Sequence, residues 1–285
     1  MHATSGSGRA DPLAGILRSA GAFVARRDRP FIGRGYVQLL TRALPGREIE
    51  ITDRSGHRQV IDTRDQMGAN ALAGRYRLPT EVVGRVRPGD WVIDCGANIG
   101  IITSQLCAAV GPAGQVWACE PVPANVARLE RLKAANNLDQ LRIVASAIGS
   151  EPGTATIGLP PSGRSGWASM TKSFGVTERV EIAVDTLDRL AAAATLAARL
   201  SLVKIDVEGF ESEVLVGGEH LFTTQRPLIY CEFNDVLLCD RGQSSMVLLD
   251  RFGSLGYRPT ATSAPLVARM AGRVVNLLME PEGVR

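Results

Sequence analysis

WVIDCGANIG, residues 91–100, is the stretch whose order of parts decides the fold. Trp91, Val92, Ile93 and Cys95 form the apolar run of a buried strand, yet Asp94 interrupts it just before the end. Gly96, Asn98 and Gly100 then make a turn, and the apolar IITSQLCAAV that follows reads as a helix. Strand, glycine turn and helix, in that order, open an open parallel sheet, where ligands sit beyond the carboxyl ends of the strands. The glycines suit either a tight turn on geometry alone or a backbone that must come close to a ligand. The spacing is G-x-N-x-G rather than the G-x-G-x-x-G of dinucleotide sites, which disfavours a nicotinamide dehydrogenase.

Strand-like and helix-like segments keep alternating downstream. GQVWACE precedes PANVARLERLKAANN, and LRIVASAI runs into a polar, glycine-rich interruption. RVEIAVDTL then leads into DRLAAAATLAARL, SLVKIDV into FESEVLVGGEHLF, and RPLIYCEF into SMVLLDRFGSL. This alternation predicts a mostly parallel α/β sheet with helices on both faces. The tail breaks the pattern. GYRPTATS and RVVNLLMEP leave no room for a crossover helix, so they are expected to pair antiparallel.

Upstream, REIEIT and HRQVIDT flank DRSG and predict a hairpin, and PTEVVGRV predicts a helix starting at Pro79. DPLAGILRSAGAFVARR and GRGYVQLLTRAL look helical, while residues 1–10 are small and polar and predict disorder. The expected division is therefore an N-terminal extension over residues 1–75 and an α/β domain over residues 76–285.

Composition bounds the function classes. The chain has 285 residues, 45% hydrophobic and 21% charged, which is ordinary for a globular protein. A formal charge of +3 and an aromatic content of 5% disfavour a nucleic-acid surface. No apolar run approaches the roughly 20 residues of a membrane span, and the N-terminus lacks the basic start of a signal peptide. A cytoplasmic location is expected. The five cysteines include no CxxC pair and read as mostly buried free thiols.

The acids at strand ends carry the chemistry. Asp94 closes the first strand and Glu120 the second, in WACEP, with Pro121 stopping the strand and Asn125 in the next helix turn. Glu120 fits either a ribose-binding carboxylate or a helix-capping group. In SLVKIDVEGFESEVL, Lys204 and Asp206 alternate on a buried strand and Glu208 follows at its mouth. Charge in so apolar a strand is costly unless paired or used. Asp206 fits catalysis or a helix cap, and Lys204 function or an ion pair. YCEFN repeats the pattern with Glu232 and Asn234. The histidines, His2, His57 and His220, fall in the tail, the hairpin and the far end of a helix, and read as surface or structural.

VIDCGANIG, ACEPVPANV, ASAIG, VDTLDRL, LVKIDVEGFESEVLVGG and LIYCEFN occur in the order seen in FkbM-type S-adenosylmethionine-dependent methyltransferases, which the chain resembles over about residues 76–257. The resemblance implies a class I methyltransferase fold, Rossmann-like, with a seven-stranded, mostly parallel sheet ending in an antiparallel hairpin. It implies that Asp94, Gly96, Asn98 and Gly100 hold the methionine part of S-adenosylmethionine and that Glu120 takes the ribose diol. Pro121 and Asn125 are expected beside it, Ser146 and Ala147 along the adenine, and Asp206 near the transferring methyl. Cys95 and Cys119 stand where larger residues are common, an apolar change that leaves binding intact.

An alcohol acceptor must lose its proton, which calls for a base or a cation. Asp206, Glu208 and Glu232 are the candidate catalytic acids. Asp206 and Glu232 with Asn234, two acids and an amide, also resemble the magnesium-holding oxygens of catechol-type methyltransferases, but that comparison crosses families, so no metal ligand is assigned. The expected activity is O-methylation of a small-molecule hydroxyl on a natural product, sugar or glycolipid, as in secondary-metabolite biosynthesis. N-methylation of an amine or amide and a non-catalytic cofactor-binding partner subunit are the alternatives, and a homodimer is left open. Residues 160–175, with Trp167, read either as an acceptor cover or as an irregular loop.

Overall fold

The computed structural model describes residues 48–63, 65–72, 76–159, 178–194 and 198–283. The expected N-terminal helices and the 160–175 segment lie outside these residues. The described chain starts with a hairpin, β1 (Glu48–Thr52) and β2 (Arg58–Asp62), then helices α1 (Gln66–Leu72) and α2 (Thr80–Val83). It continues through β3 (Trp91–Cys95), α3 (Ile101–Val110), β4 (Gln115–Cys119), α4 (Pro123–Asn136), β5 (Leu141–Val144) and β6 (Ala147–Ile148). Next come β7 (Gly153–Leu159), β8 (Glu178–Asp185), α5 (Leu187–Ala192), β9 (Leu200–Ile205), α6 (Glu211–Gly217) and α7 (Glu219–Gln225). The last elements are β10 (Leu228–Asn234), α8 (Asp235–Cys239), α9 (Ser245–Ser254), β11 (Tyr257–Pro259), α10 (Ala264–Val267) and β12 (Val274–Pro281).

One seven-stranded sheet carries the architecture, in the order β11-β12-β10-β9-β3-β4-β5. Strands β5, β4, β3, β9 and β10 are parallel, and β12 runs antiparallel between β10 and β11. Every residue of β3 and of β9 is buried, as central strands covered on both faces require. On one face Trp91, Ile93, Trp117 and Val203 pack with Leu187, Leu215, Phe222 and Phe252 of the later helices. On the other, Val92, Val116, Ala118 and Leu202 meet Val82, Leu106, Leu129 and Leu132 of α2, α3 and α4. The chain leaves β3 toward β4 on one side and returns to β9 on the other. The carboxyl ends of β3 and β9 are therefore the point where the strand order switches.

Several local expectations change. RVEIAVDTL forms β8 outside the main sheet, in a three-stranded sheet ordered β6-β8-β7. LRIVASAI splits between β5 and β6 for the same reason. Among the described residues of DRLAAAATLAARL the helix is Leu187–Ala192, which Thr186 caps by accepting from the Arg189 N–H at 3.2 Å. Leu200, the last residue of that stretch, already begins β9. GYRPTATS gives a strand of Tyr257–Pro259 alone, because the Thr260 carbonyl accepts from the N–H of Ser263 and Ala264 and turns the chain into α10.

The upstream hairpin docks on the helical layer through polar bonds. Asp53 accepts from Ser104 Oγ at 2.5 Å, and His57 Nδ1 lies 2.8 Å from the same hydroxyl. The Arg58 N–H donates to Asn136 at 2.7 Å. His57 is thus a docking residue, and His220 is exposed. All five cysteines are free thiols, and Cys239 alone is exposed. Among the described residues no helix is long and apolar enough to cross a membrane.

Candidate active site

A cleft of about 460 Å³ opens at the carboxyl ends of β3, β4, β9 and β10, within the range of small-molecule sites. Gly96, Asn98, Glu120, Pro121, Asn125, Ala147, Asp206, Glu208, Glu232 and Asn234 all line it. Parallel register explains the convergence: Asp94 stands opposite Lys204 and Cys95 opposite Cys119, so the ends of these strands lie level.

Asp94, Gly100 and Ser146 do not line the cleft. Asp94 is fully buried behind it, accepting from Thr103 Oγ1 at 2.7 Å with Lys204 Nζ 3.1 Å away. Gly100, at φ 88°, starts α3, and a Cβ there would lie 2.9 Å from methyl carbons of Leu129 and Leu132. Its place is helix packing. Ser146 is buried, with a hydroxyl that has no partner.

Lys204 is the hub of the floor. Its ammonium donates to the Gly96 carbonyl at 2.8 Å and the Cys95 carbonyl at 3.3 Å, and lies 3.6 Å from Asp206. Burial works to depress its pKa, but Asp94 and Asp206 outweigh that and hold it above the ordinary lysine value. One cation therefore ties the glycine loop after β3 to the acid after β9. Gly96 makes this approach possible: at φ 79°, its Cβ position lies 1.9 Å from the Asp206 carbonyl oxygen, so a side chain there collides with backbone.

Glu120 is organised by the same loop. Its Oε2 accepts from the Asn98 N–H at 2.8 Å, and Oε1 accepts from the Val122 N–H at 2.9 Å and Asn125 Nδ2 at 3.2 Å. A carboxylate offers about four lone-pair positions. An acceptor position thus remains on Oε2. Burial raises this carboxyl's pKa, and the Val122, Asn98 and Asn125 donors oppose the rise.

The opposite wall is acidic. Burial first, then the Asp206 and Glu211 charges, pushes Glu208 up to about 8. Glu232 is raised well above the ordinary value by burial and then by Asp206, Glu208 and Glu211, with Asn234 Nδ2 3.5 Å from its Oε2. Glu208 adopts φ 55°, a left-handed conformation that costs a non-glycine residue about 1–3 kcal/mol. Glu211 holds that turn, its Oε1 accepting from the Val207 N–H at 3.3 Å and the Gly209 N–H at 3.1 Å. Among the described residues, no group of three or more His, Cys, Asp or Glu side chains is arranged to hold a metal ion.

Sequence reasoning missed Glu211, Tyr76 and Met67. Glu211 reads as an ordinary acid in a helix's first turn, and its full burial is tertiary. Tyr76 and Met67 come from outside the alternating pattern, yet both line the cleft. Burial and the Asp206, Glu232 and Glu208 charges push the Tyr76 hydroxyl up to about 12.

The raised acids make stability depend on pH. Glu208 and Glu211 bind a proton more tightly folded than unfolded, with values of about 8 and about 7 against an ordinary 4.5. Their burial costs little below 4.5, and the cost grows as pH climbs toward those values. Unfolding free energy should therefore fall between about pH 5 and 8. Glu211→Gln, which keeps the Oε1 acceptor, should flatten the part of this fall below about 7. Urea unfolding across that range checks it, and an unchanged slope in the variant would refute the assignment.

No curated protein matches the chain. Among solved structures, methyltransferase FkbM from Methylobacillus flagellatus KT is 17% identical with a TM-score of 0.39, covering 82% of this chain and 53% of that one. This chain thus spans about half the length of that relative. Trm5b from Pyrococcus abyssi is 15% identical with a TM-score of 0.40, over 82% of this chain and 55% of its own. TYW2 from M. jannaschii, solved in complex with AdoMet, is 14% identical with a TM-score of 0.35, over 84% and 89%. These likenesses are distant. The family model for the methyltransferase FkbM domain matches residues 94–259, a span that contains every cleft residue from Asn98 to Asn234, and the chain belongs to the FkbM family of S-adenosylmethionine-dependent methyltransferases.

Proposed function

We propose that the protein transfers a methyl group to a hydroxyl of a small molecule, a natural product, sugar or glycolipid. The observation that carries this reading is the pair of half-buried acids with raised pKa values, Glu208 and Glu232, lining the cleft beside Asp206 at the mouths of β9 and β10. A hydroxyl must give up its proton during transfer, and a carboxylate poised near neutral pH is suited to take it. An amine acceptor has less need of such a base.

The residues present fit the cofactor. The Gly96–Asn98 loop packs against the Asp206 backbone as only glycine permits and lines the cleft, and Glu120 keeps an acceptor position there for a ribose hydroxyl. Pro121, Asn125 and Ala147 extend the same wall. Asp94 acts from behind, by holding Lys204 against the loop. When bound, S-adenosylmethionine supplies an electrophilic methyl on a sulfonium. The chain's own part is to orient the acceptor, accept its proton at Glu232 or Asp206, and enclose the reacting groups with Tyr76, Phe210 and Met67. The segment before residue 76 thereby shapes the acceptor side and leaves the main cofactor contacts to later strands.

The reading is tested by calorimetry with S-adenosylmethionine and its demethylated product. Both should bind, and Glu120→Ala should weaken both by about 1–3 kcal/mol, through the lost ribose bond and the loosened Asn98 loop. Tight NAD binding without S-adenosylmethionine binding would overturn the cofactor assignment. Methylation of amines but not of any matched hydroxyl would overturn the acceptor.

A further inference from the structure

A second cavity, of about 230 Å³, lies on the opposite edge of the sheet from the cleft. It is lined by Arg85, Arg87, Arg199 and Arg226, with Leu228 and Glu280. These arginines come from separate places in the chain. Arg85 and Arg87 lie in the turn before β3, Arg199 directly precedes β9, and Arg226 precedes β10. All of these are amino ends of parallel strands, and the antiparallel β12 brings Glu280 and Pro281 to the same edge. With about 3.3 Å per residue, the Leu200–Ile205 strand separates this edge from the cleft by roughly 20 Å. The two cavities are distinct.

The charges here are not balanced within the fold. Among the described residues, the Arg85, Arg87 and Arg199 side chains make no hydrogen bond or ion pair. Arg226 is held in place by the Gly256 carbonyl at 3.2 Å and the Glu282 carbonyl at 2.9 Å, contacts that fix its guanidinium without neutralising it. Glu280 lines the cavity but is paired with Arg258 at 3.1 Å. Asp90 lies nearby, and its Oδ2 accepts from the Arg87 backbone N–H at 2.8 Å. Guanidinium forks match phosphate oxygens in bidentate geometry, more strongly than they match water. One phosphate monoester carries only about −1.5 to −2 charges, so the arginines facing this cavity favour two linked phosphates over one.

We propose that this cavity is an anion site for a diphosphate group, either inorganic pyrophosphate or the diphosphate of a small organic molecule. Arg226 is the fixed anchor, and Arg85, Arg87 and Arg199 close on the anion.

Calorimetry on the full chain at low salt tests it, with inorganic pyrophosphate and ADP as probes and inorganic phosphate for comparison. Pyrophosphate should bind saturably and more tightly than phosphate. Arg85→Gln with Arg199→Gln should weaken it at least about 10-fold, since two guanidinium forks that would hold the anion by charge-assisted hydrogen bonds are lost. Arg87→Gln alone and Arg85→Lys, which keeps the charge but loses the fork, should each weaken it measurably. Arg251→Gln, an exposed arginine of α9 that does not line the cavity, should leave it unchanged. Tighter binding of ADP than of pyrophosphate supports an organic diphosphate, and equal binding supports recognition of the anion alone. Absence of saturable pyrophosphate binding would overturn the proposal. So would equal affinity in the arginine variants, or competition by the demethylated cofactor, which would place the anion in the cleft.

Discussion

Lys204→Met should lower the unfolding free energy by about 3–5 kcal/mol, the usual penalty for stranding one member of a buried ion pair. Asp94 is fully buried, and without the ammonium its carboxylate keeps only the Thr103 hydroxyl. The Gly96 and Cys95 carbonyls lose their donor in the same step. Adding Asp94→Asn to Lys204→Met should recover part of the stability, because the cost comes from the stranded charge. Urea unfolding of the single and double variants measures both effects. A single variant within about 1 kcal/mol of the parent would show that the pair is not what holds the loop. The same variant should bind S-adenosylmethionine more weakly, since Lys204 joins the glycine loop to the end of β9.

Asp206→Asn and Glu232→Gln should each cut turnover at least about 100-fold, the lower edge of general-base effects. Both acids line the cleft beyond β9 and β10, whereas the ribose-binding candidate Glu120 lines it just past the end of β4. Cofactor affinity should therefore stay close to the parent's. Burial, reinforced by Asp206, Glu208 and Glu211, raises the Glu232 pKa, so the rate should climb with pH as the carboxyl ionises. In Glu232→Gln that pH limb should flatten. Asp206 carries a further duty through its ion pair with Lys204, 3.6 Å away, and Asp206→Asn keeps its shape while removing that attraction. Near-parental turnover in both variants would move the search to Glu208. Chelator treatment provides a separate readout: lost activity restored by magnesium would bring in a cation that the acids alone do not require.

The pattern of the chain was sufficient for the sheet. Central strands buried on both faces are mostly apolar, so WVIDC and SLVKI stand out, and the acids at or just past their ends, Asp94 and Asp206, mark the edge of the sheet where the cleft opens. Strand β8 escaped the same logic because an alternating strand reads alike in any sheet; pairing with β6 and β7 is a long-range choice. Which acid faces the cleft was also beyond local reading. Asp94 and Asp206 look equivalent in sequence, but register sets Asp94 opposite Lys204 and inside the core, while Asp206, just past the strand, reaches the opening. Glu211 was hidden for a related reason, since a helix's first turn welcomes an acid whether or not it is buried. Sequence thus determined the βα order and the strand-end chemistry, which depend on neighbours in the chain. Tertiary structure alone decided which charges neutralise one another and which remain for a ligand, because desolvation and pairing depend on distances between residues far apart in sequence.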